Sequence, residues 1–242
     1  MKKALISPWV FNEAQDFGWS DSSTIENYNN VARGNSSVER QRLIDLGVSK
    51  EHVLMDIGCG TGTLVLEAAK LCKTVIALDV AKPMLDYLKN DALQLGIHNI
   101  NYVNQGFLSY EHAQDPVDFV VSQHTFHHLP DFWKVQALQG VYDVLKPGGV
   151  LLLHDVLFSF EPQEAEVALE NWMTNVSVTD GDGFPKSFFE QQVREEYYTY
   201  TWLFEAMLEK VGFKIMDIDY GNYAAHGGYL CVKPSETCVV SS

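Results

Sequence analysis

The stretch "MDIGCGTGTLVLEAAK", residues 55–70, joins an apolar run closed by a carboxylate to three alternate glycines and then to a helix-forming segment. A strand that turns through glycines into a helix lets a ligand approach the backbone and meet the amide dipoles at the helix N-terminus, as a nucleotide-like ligand requires. Gly58, Gly60 and Gly62 are spaced G-x-G-x-G, and Thr63 stands where a dinucleotide fingerprint needs its third glycine. A phosphate-binding loop needs Lys and then Ser or Thr behind its last glycine, and Thr63-Leu64 stand there instead. Asp56, just before the first glycine, repels a pyrophosphate but accepts hydrogen bonds from an ammonium group.

Outward from this turn, strand-like runs recur with helical patterns between them: HVLMDI (52–57), TVIALDV (74–80), INYV (100–103), VDFVVS (117–122) and GVLLLHDV (149–156). The alternation predicts a parallel sheet covered by helices on both faces. One helix follows Gly62 and another begins near Pro83. A third begins near Pro130-Asp131, with Asp131 as its cap, and stops at Lys146-Pro147-Gly148-Gly149. KIMDIDYG (214–221) and GGYLCVKP (227–234) add a pair expected to be antiparallel. The expected fold is α/β: a Rossmann-like, seven-stranded, mostly parallel sheet with helices on both faces and an antiparallel last strand. Residues 1–50 read as an N-terminal helical arm or lid and 51–242 as the catalytic domain. Within it, residues 157–212 hold three helical patterns where one crossover helix suffices, with a break at Gly181-Asp182-Gly183. They read as a helical cap.

A formal charge of −15 argues against nucleic acid as partner, since that affinity comes from clustered Lys and Arg. Nothing reads as an export signal or a membrane span. The four cysteines, Cys59, Cys72, Cys231 and Cys238, form no CxxC pair and read as reduced thiols of a cytoplasmic protein. The expected partner is a small molecule, and the protein a monomer or homodimer.

Asp79 ends the second strand seventeen residues beyond Gly62, where an acidic side chain can take both hydroxyls of a ribose. A cationic amino-acid group near Asp56 and a ribose at Asp79 together describe S-adenosylmethionine, with S-adenosylhomocysteine as product. Here the sequence resembles the class I S-adenosylmethionine-dependent methyltransferases over roughly residues 50–233, and within them small bacterial members of unassigned substrate. "DIGCGTG" is similar to the first cofactor motif, "VIALDVAKPML" to the second, "VDFVVSQHTFHHLPD" to the fourth and "VLKPGGVLLLHD" to the strand-five motif. The resemblance implies cofactor contacts from Asp56, Gly58, Cys59, Gly60, Asp79, Val80, Met84, Gln105, Gly106, Phe107 and Ser122. Family members commonly carry Gly-Asp after the third strand, the aspartate accepting a bond from the adenine amino group. Gln105-Gly106 occupies that register here, so the carboxylate is missing and the amino group is expected to be read weakly, by about tenfold or less.

Methyl transfer from a sulfonium is an in-line displacement for which a base is optional, useful when the nucleophile must lose a proton. Neither Pro-Pro-Tyr nor Pro-Cys, the marks of nucleic-acid base methylators, follows the fourth strand. His124, His127 and His128 end that strand, facing the ligand crevice of an open sheet. His124 and His127 are candidate bases, Asp155 a second one. Their bland reading is a set of locally bonded imidazoles at a helix start. No metal is expected, as no further ligand falls at a recognised spacing. The cap is dense in aromatics, among them Trp172, Tyr197 and Tyr198, which read as its own core or as an apolar substrate surface. Glu195 and Glu196 read as a solvated helix face, with recognition of a cationic substrate as the alternative. The expected function is S-adenosylmethionine-dependent methylation of a small molecule. The alternatives are a non-catalytic protein binding the same cofactor and, disfavoured by the glycine spacing, a nucleotide-dependent oxidoreductase.

Overall fold

The computed structural model describes residues 9–13, 22–33, 36–179 and 183–235. Cys238, and Gly181 and Asp182 of the expected cap break, lie outside them. Helices α1 (Ser22–Arg33) and α2 (Ser36–Asp45) precede β1 (Val53–Ile57). The chain then runs through α3 (Thr63–Leu71), β2 (Thr74–Leu78), α4 (Lys82–Gln94), β3 (Ile100–Val103), β4 (Val117–Gln123), α5 (Asp131–Val144) and β5 (Leu145–Asp155). Behind these come β6 (Leu157–Phe158), α6 (Ala165–Val176), α7 (Lys186–Glu195), β7 (Thr199–Tyr200), α8 (Thr201–Val211), β8 (Lys214–Asp219) and β9 (Gly227–Val232).

Seven strands form one sheet in the order β3-β2-β1-β4-β5-β9-β8. β1 pairs in parallel with β2 on one side and β4 on the other, so the chain order reverses between β1 and β4 and a crevice opens beyond their carboxyl ends. β9 runs antiparallel to both β5 and β8. The inner strands are largely apolar because both faces are covered, with polar residues such as Asp56, Ser122 and Asp155 toward their carboxyl ends. Met55, Ile76, Val120 and Leu153 enter one buried cluster with α5 and α8, while Leu54, Val75, Phe119 and Val121 enter another with α3 and α4. Among the described residues no helix is long and apolar enough to cross a membrane.

Three local expectations change. β5 begins at Leu145, ahead of the two glycines, and its pairing with β4 slips between Val117 and Phe119, so Lys146–Gly149 bulge out at the start of the strand. A Cβ on Gly149 would lie 2.8 Å from the Lys146 carbonyl oxygen, so this bulge needs a glycine. Asp131 is the first residue of α5 and does not cap it; its carboxylate receives buried Lys134 Nζ at 2.7 Å and Thr199 Oγ1 at 3.3 Å. The third is a short parallel ribbon of β6 and β7; Phe158 of β6 packs with Phe160 and with Trp172 and Met173 of α6 in a separate buried cluster.

Candidate active site

The glycine turn folds back on the end of β2. The N–H groups of Gly58 and Cys59 both donate to the Leu78 carbonyl, at 2.8 and 2.9 Å, and Gly62 N–H closes the turn on the Cys59 carbonyl at 2.9 Å. Gly60 and Gly62 hold φ of 54° and 83°, where a side chain is strained. A Cβ on Gly62 would sit 2.2 Å from Leu88 Cδ1, so this glycine serves the packing of α3 on α4. One on Gly60 would meet Tyr28 Oη at 3.1 Å, which places a tyrosine of α1 directly over the turn.

Asp79 is buried beside it and takes one backbone N–H on each oxygen, Gly60 at 2.8 Å on Oδ2 and Ala81 at 2.7 Å on Oδ1. Each oxygen keeps a further acceptor site, which two neighbouring ribose hydroxyls can fill. Burial raises the Asp79 pKa, and the two N–H donors oppose that rise. Asn104 Nδ2 donates to the carbonyls of Asp79 and Val80, both at 2.9 Å, and fixes the loop that presents the carboxylate. Burial, then the charges of Asp79 and Asp56, push the Tyr28 phenol up to about 12, so it is a neutral hydroxyl. Thr61 Oγ1 and Thr63 Oγ1, either side of Gly62, are buried without a hydrogen-bond partner among the described residues. Two carboxylates, a neutral phenol and two orphaned hydroxyls suit a nucleoside bearing an amino-acid group, and Asp56 and Asp79 would repel a pyrophosphate.

Across the crevice, the ends of β4 and β5 bring the other candidates together. His127 Nδ1 lies 2.6 Å from Asp155 Oδ1, and both side chains are buried. Asp155 also accepts from the backbone N–H groups of Val156 at 2.7 Å, Thr125 at 3.0 Å and Phe126 at 2.7 Å. Burial works to raise its pKa, but the attraction and hydrogen bond of His127, with His124 and the Val156 amide, hold the carboxyl well below the usual range. It is an ionised acceptor occupied by four donors, one of them the His127 ring. His124 has φ 52°, its N–H donates to the His154 carbonyl at 2.8 Å, and its Nε2 lies 3.3 Å from His154 Nδ1. Burial and then the His226 ring, stacked 5.6 Å away, hold His154 down at about 4. Among the described residues no group of three or more His, Cys, Asp or Glu is placed to hold a metal.

The methyltransferase domain family matches residues 54–149, from β1 into the start of β5. The chain is 27% identical over 208 residues to an uncharacterized methyltransferase of Anoxybacillus flavithermus, covering 84% of this chain and 87% of that protein. It is 25% identical over 175 residues to another from Oceanobacillus iheyensis, covering 72% and 75% respectively. Its fold matches the crystal structure of a SAM dependent methyltransferase from Aquifex aeolicus with a TM-score of 0.63 at 19% identity, over 88% of this chain and 98% of that one. The chain carries a methyltransferase domain, and its relatives and fold support a class I S-adenosylmethionine-dependent methyltransferase.

Within this methyltransferase the expected cofactor residues fall into two groups. Asp56, Gly58, Cys59, Gly60, Asp79 and Val80 gather at the turn, and Met84 is buried at the start of α4. The others carry bonds or packing inside the protein. Ser122 Oγ is buried and donates to the Ile57 carbonyl at 3.1 Å, tying β4 to β1. Gln105 Nε2 donates to the Ser109 carbonyl at 3.1 Å, so its amide folds onto its own turn. Phe107 packs on Phe126 with ring centroids 4.4 Å apart, at the edge of the main core. Glu195 is exposed, whereas Glu196 turns inward and meets His128 Nδ1 at 3.0 Å. Tyr28, Asn104 and Glu196 join the site without a local sequence signal, whereas Thr61 and Thr63 stand in the glycine turn itself.

Proposed function

We propose that the methyltransferase acts on a small-molecule acceptor whose nucleophile sheds a proton during transfer, with His127 as the base and Asp155 as its positioning residue. The observation that carries this reading is the buried His127–Asp155 pair at 2.6 Å, at the carboxyl ends of β4 and β5. Because Asp155 only accepts, the ring hydrogen of His127 sits on Nδ1 and leaves the lone pair on Nε2 to take a proton. Asp155 then faces the charge that forms on the ring. Bound S-adenosylmethionine supplies a methyl group already activated on a cationic sulfur. The glycine turn, Tyr28 and Asp79 hold that molecule on one side, and the imidazoles stand on the other.

The cap supports a small acceptor over a macromolecular one. Tyr197 N–H donates to the His127 carbonyl at 2.8 Å, and Lys134 Nζ donates to the Tyr197 carbonyl while paired with Asp131, so the β7 end of the cap is tied down beside the histidines. Tyr198 stands edge-on to His127 at 5.4 Å. Trp172 Nε1 is buried without a hydrogen-bond partner among the described residues, a donor for an oxygen of the acceptor. The charge of −15 disfavours a phosphate backbone. Free, buried Cys59, Cys72 and Cys231 support work in the reducing cytoplasm.

The test is incubation of the protein with methyl-labelled S-adenosylmethionine and cell extract split by size. Label in the small-molecule fraction is expected. Label confined to protein or nucleic acid would overturn the reading.

A further inference from the structure

We propose that Glu13, from the segment ahead of α1, is the residue that reads the amino group of the cofactor's adenine. The inference rests on the S-adenosylmethionine assignment and deepens it. A base carried by a ribose on Asp79, at the end of β2, would reach past Val80 toward the end of β3, where the chain reads Asn104-Gln105-Gly106-Phe107 and carries no carboxylate. Glu13 supplies one from 95 residues upstream of Leu108. A Cβ built on Gly106 would lie 2.5 Å from Glu13 Oε2 and 2.7 Å from Val80 Cγ1, so the carboxylate occupies the space that a side chain at position 106 would take.

The two oxygens of Glu13 are unequally engaged. Oε1 receives Ser109 Oγ at 2.6 Å, Ser109 N–H at 2.9 Å and Leu108 N–H at 3.1 Å. Among the described residues Oε2 receives only a share of the Leu108 N–H, at 3.1 Å, and it is the oxygen beside Gly106 and Val80. It therefore keeps an acceptor site for one more donor. The exocyclic amine of adenine is such a donor, and the carbonyl of hypoxanthine at the same place is not; it would set oxygen against carboxylate. The segment that carries Glu13 is anchored by Trp9, stacked on Trp133 at 6.2 Å, and by Phe11, edge-on to Tyr197 at 5.8 Å. This replaces the weak reading expected from the sequence with a strong one, from a residue far outside the motif.

The experiment is calorimetry of S-adenosylhomocysteine and its hypoxanthine counterpart, S-inosylhomocysteine, on the whole chain. The wild type should prefer adenine by about a hundredfold or more, and Glu13→Gln, whose amide can turn its NH2 toward the carbonyl, by about tenfold or less. A carboxylate returned from the strand side, Gly106→Asp on Glu13→Ala, should restore the preference. A residue that only pinned the segment would change both affinities together and leave their ratio fixed. A wild-type preference of tenfold or less, or one unchanged in Glu13→Gln, would overturn the proposal. Failure of the wild type to bind S-adenosylhomocysteine at all would overturn the cofactor assignment, and the proposal with it.

Discussion

Asp155 Oδ1 stands 2.6 Å from His127 Nδ1 while three backbone N–H groups fill the rest of the same carboxylate. A side chain held this way fixes a neighbouring ring in one tautomer and has no acceptor site left for substrate. The pH dependence of stability should carry the mark of that arrangement. The folded pKa of Asp155 is depressed, so its contribution is present above the unfolded value of about 3.9 and is lost as pH falls below it. Asp155→Asn should cost at least about 1–3 kcal/mol near neutrality, since an amide cannot accept from all four donors. The gap in thermal midpoint between wild type and variant should narrow below about pH 4. A gap constant across that range would contradict an ionised, donor-saturated Asp155.

At the other end of the crevice, S-adenosylhomocysteine at a hundredfold excess over its dissociation constant should stabilise the protein by about 2.7 kcal/mol, and NAD should not. Asp79→Ala removes the acceptors for the ribose hydroxyls, each charge-assisted bond being worth about 1.5–3 kcal/mol. It should weaken cofactor binding at least about tenfold with the circular dichroism spectrum unchanged. Unchanged affinity by calorimetry would show that the ribose lies elsewhere.

The third glycine of the turn makes a prediction about packing. Gly62→Ala forces a Cβ to within 2.2 Å of Leu88 Cδ1 at a φ of 83°, whereas Gly96→Ala, at φ 68°, meets nothing within 4 Å. The second variant should lose only the backbone strain, about 1–2 kcal/mol. The first should lose about 1–3 kcal/mol more through overpacking between α3 and α4. Equal losses in urea unfolding would show that Leu88 moves aside freely.

These residues also mark how far the sequence carries the account. The sheet, the turn and the positions of Asp56 and Asp79 are legible because parallel strands buried on both faces are continuous apolar runs, and because glycines punctuate the turn. β6 and β7 have two residues each, too few for a period to register. The site's remaining parts depend on bonds between distant segments, such as His128 to Glu196, 68 residues apart, and Glu13 to Leu108. No local spacing encodes such a bond. Glu196 beside exposed Glu195 has the composition of a solvated face, and only the path of the chain into β7 turns it inward. Ser122 shows the converse: a polar residue at the end of β4 whose hydroxyl bonds to the neighbouring strand.

The central claim is that His127, oriented by Asp155, takes the acceptor's proton during methyl transfer. Its most direct measurement is the initial rate of label transfer from S-adenosylmethionine into the small-molecule fraction, for wild type and His127→Gln, with S-adenosylhomocysteine affinity measured on both. The account predicts a rate lower by about 10²–10⁴-fold in the variant, with cofactor affinity unchanged. A variant that transfers label at the wild-type rate would contradict it.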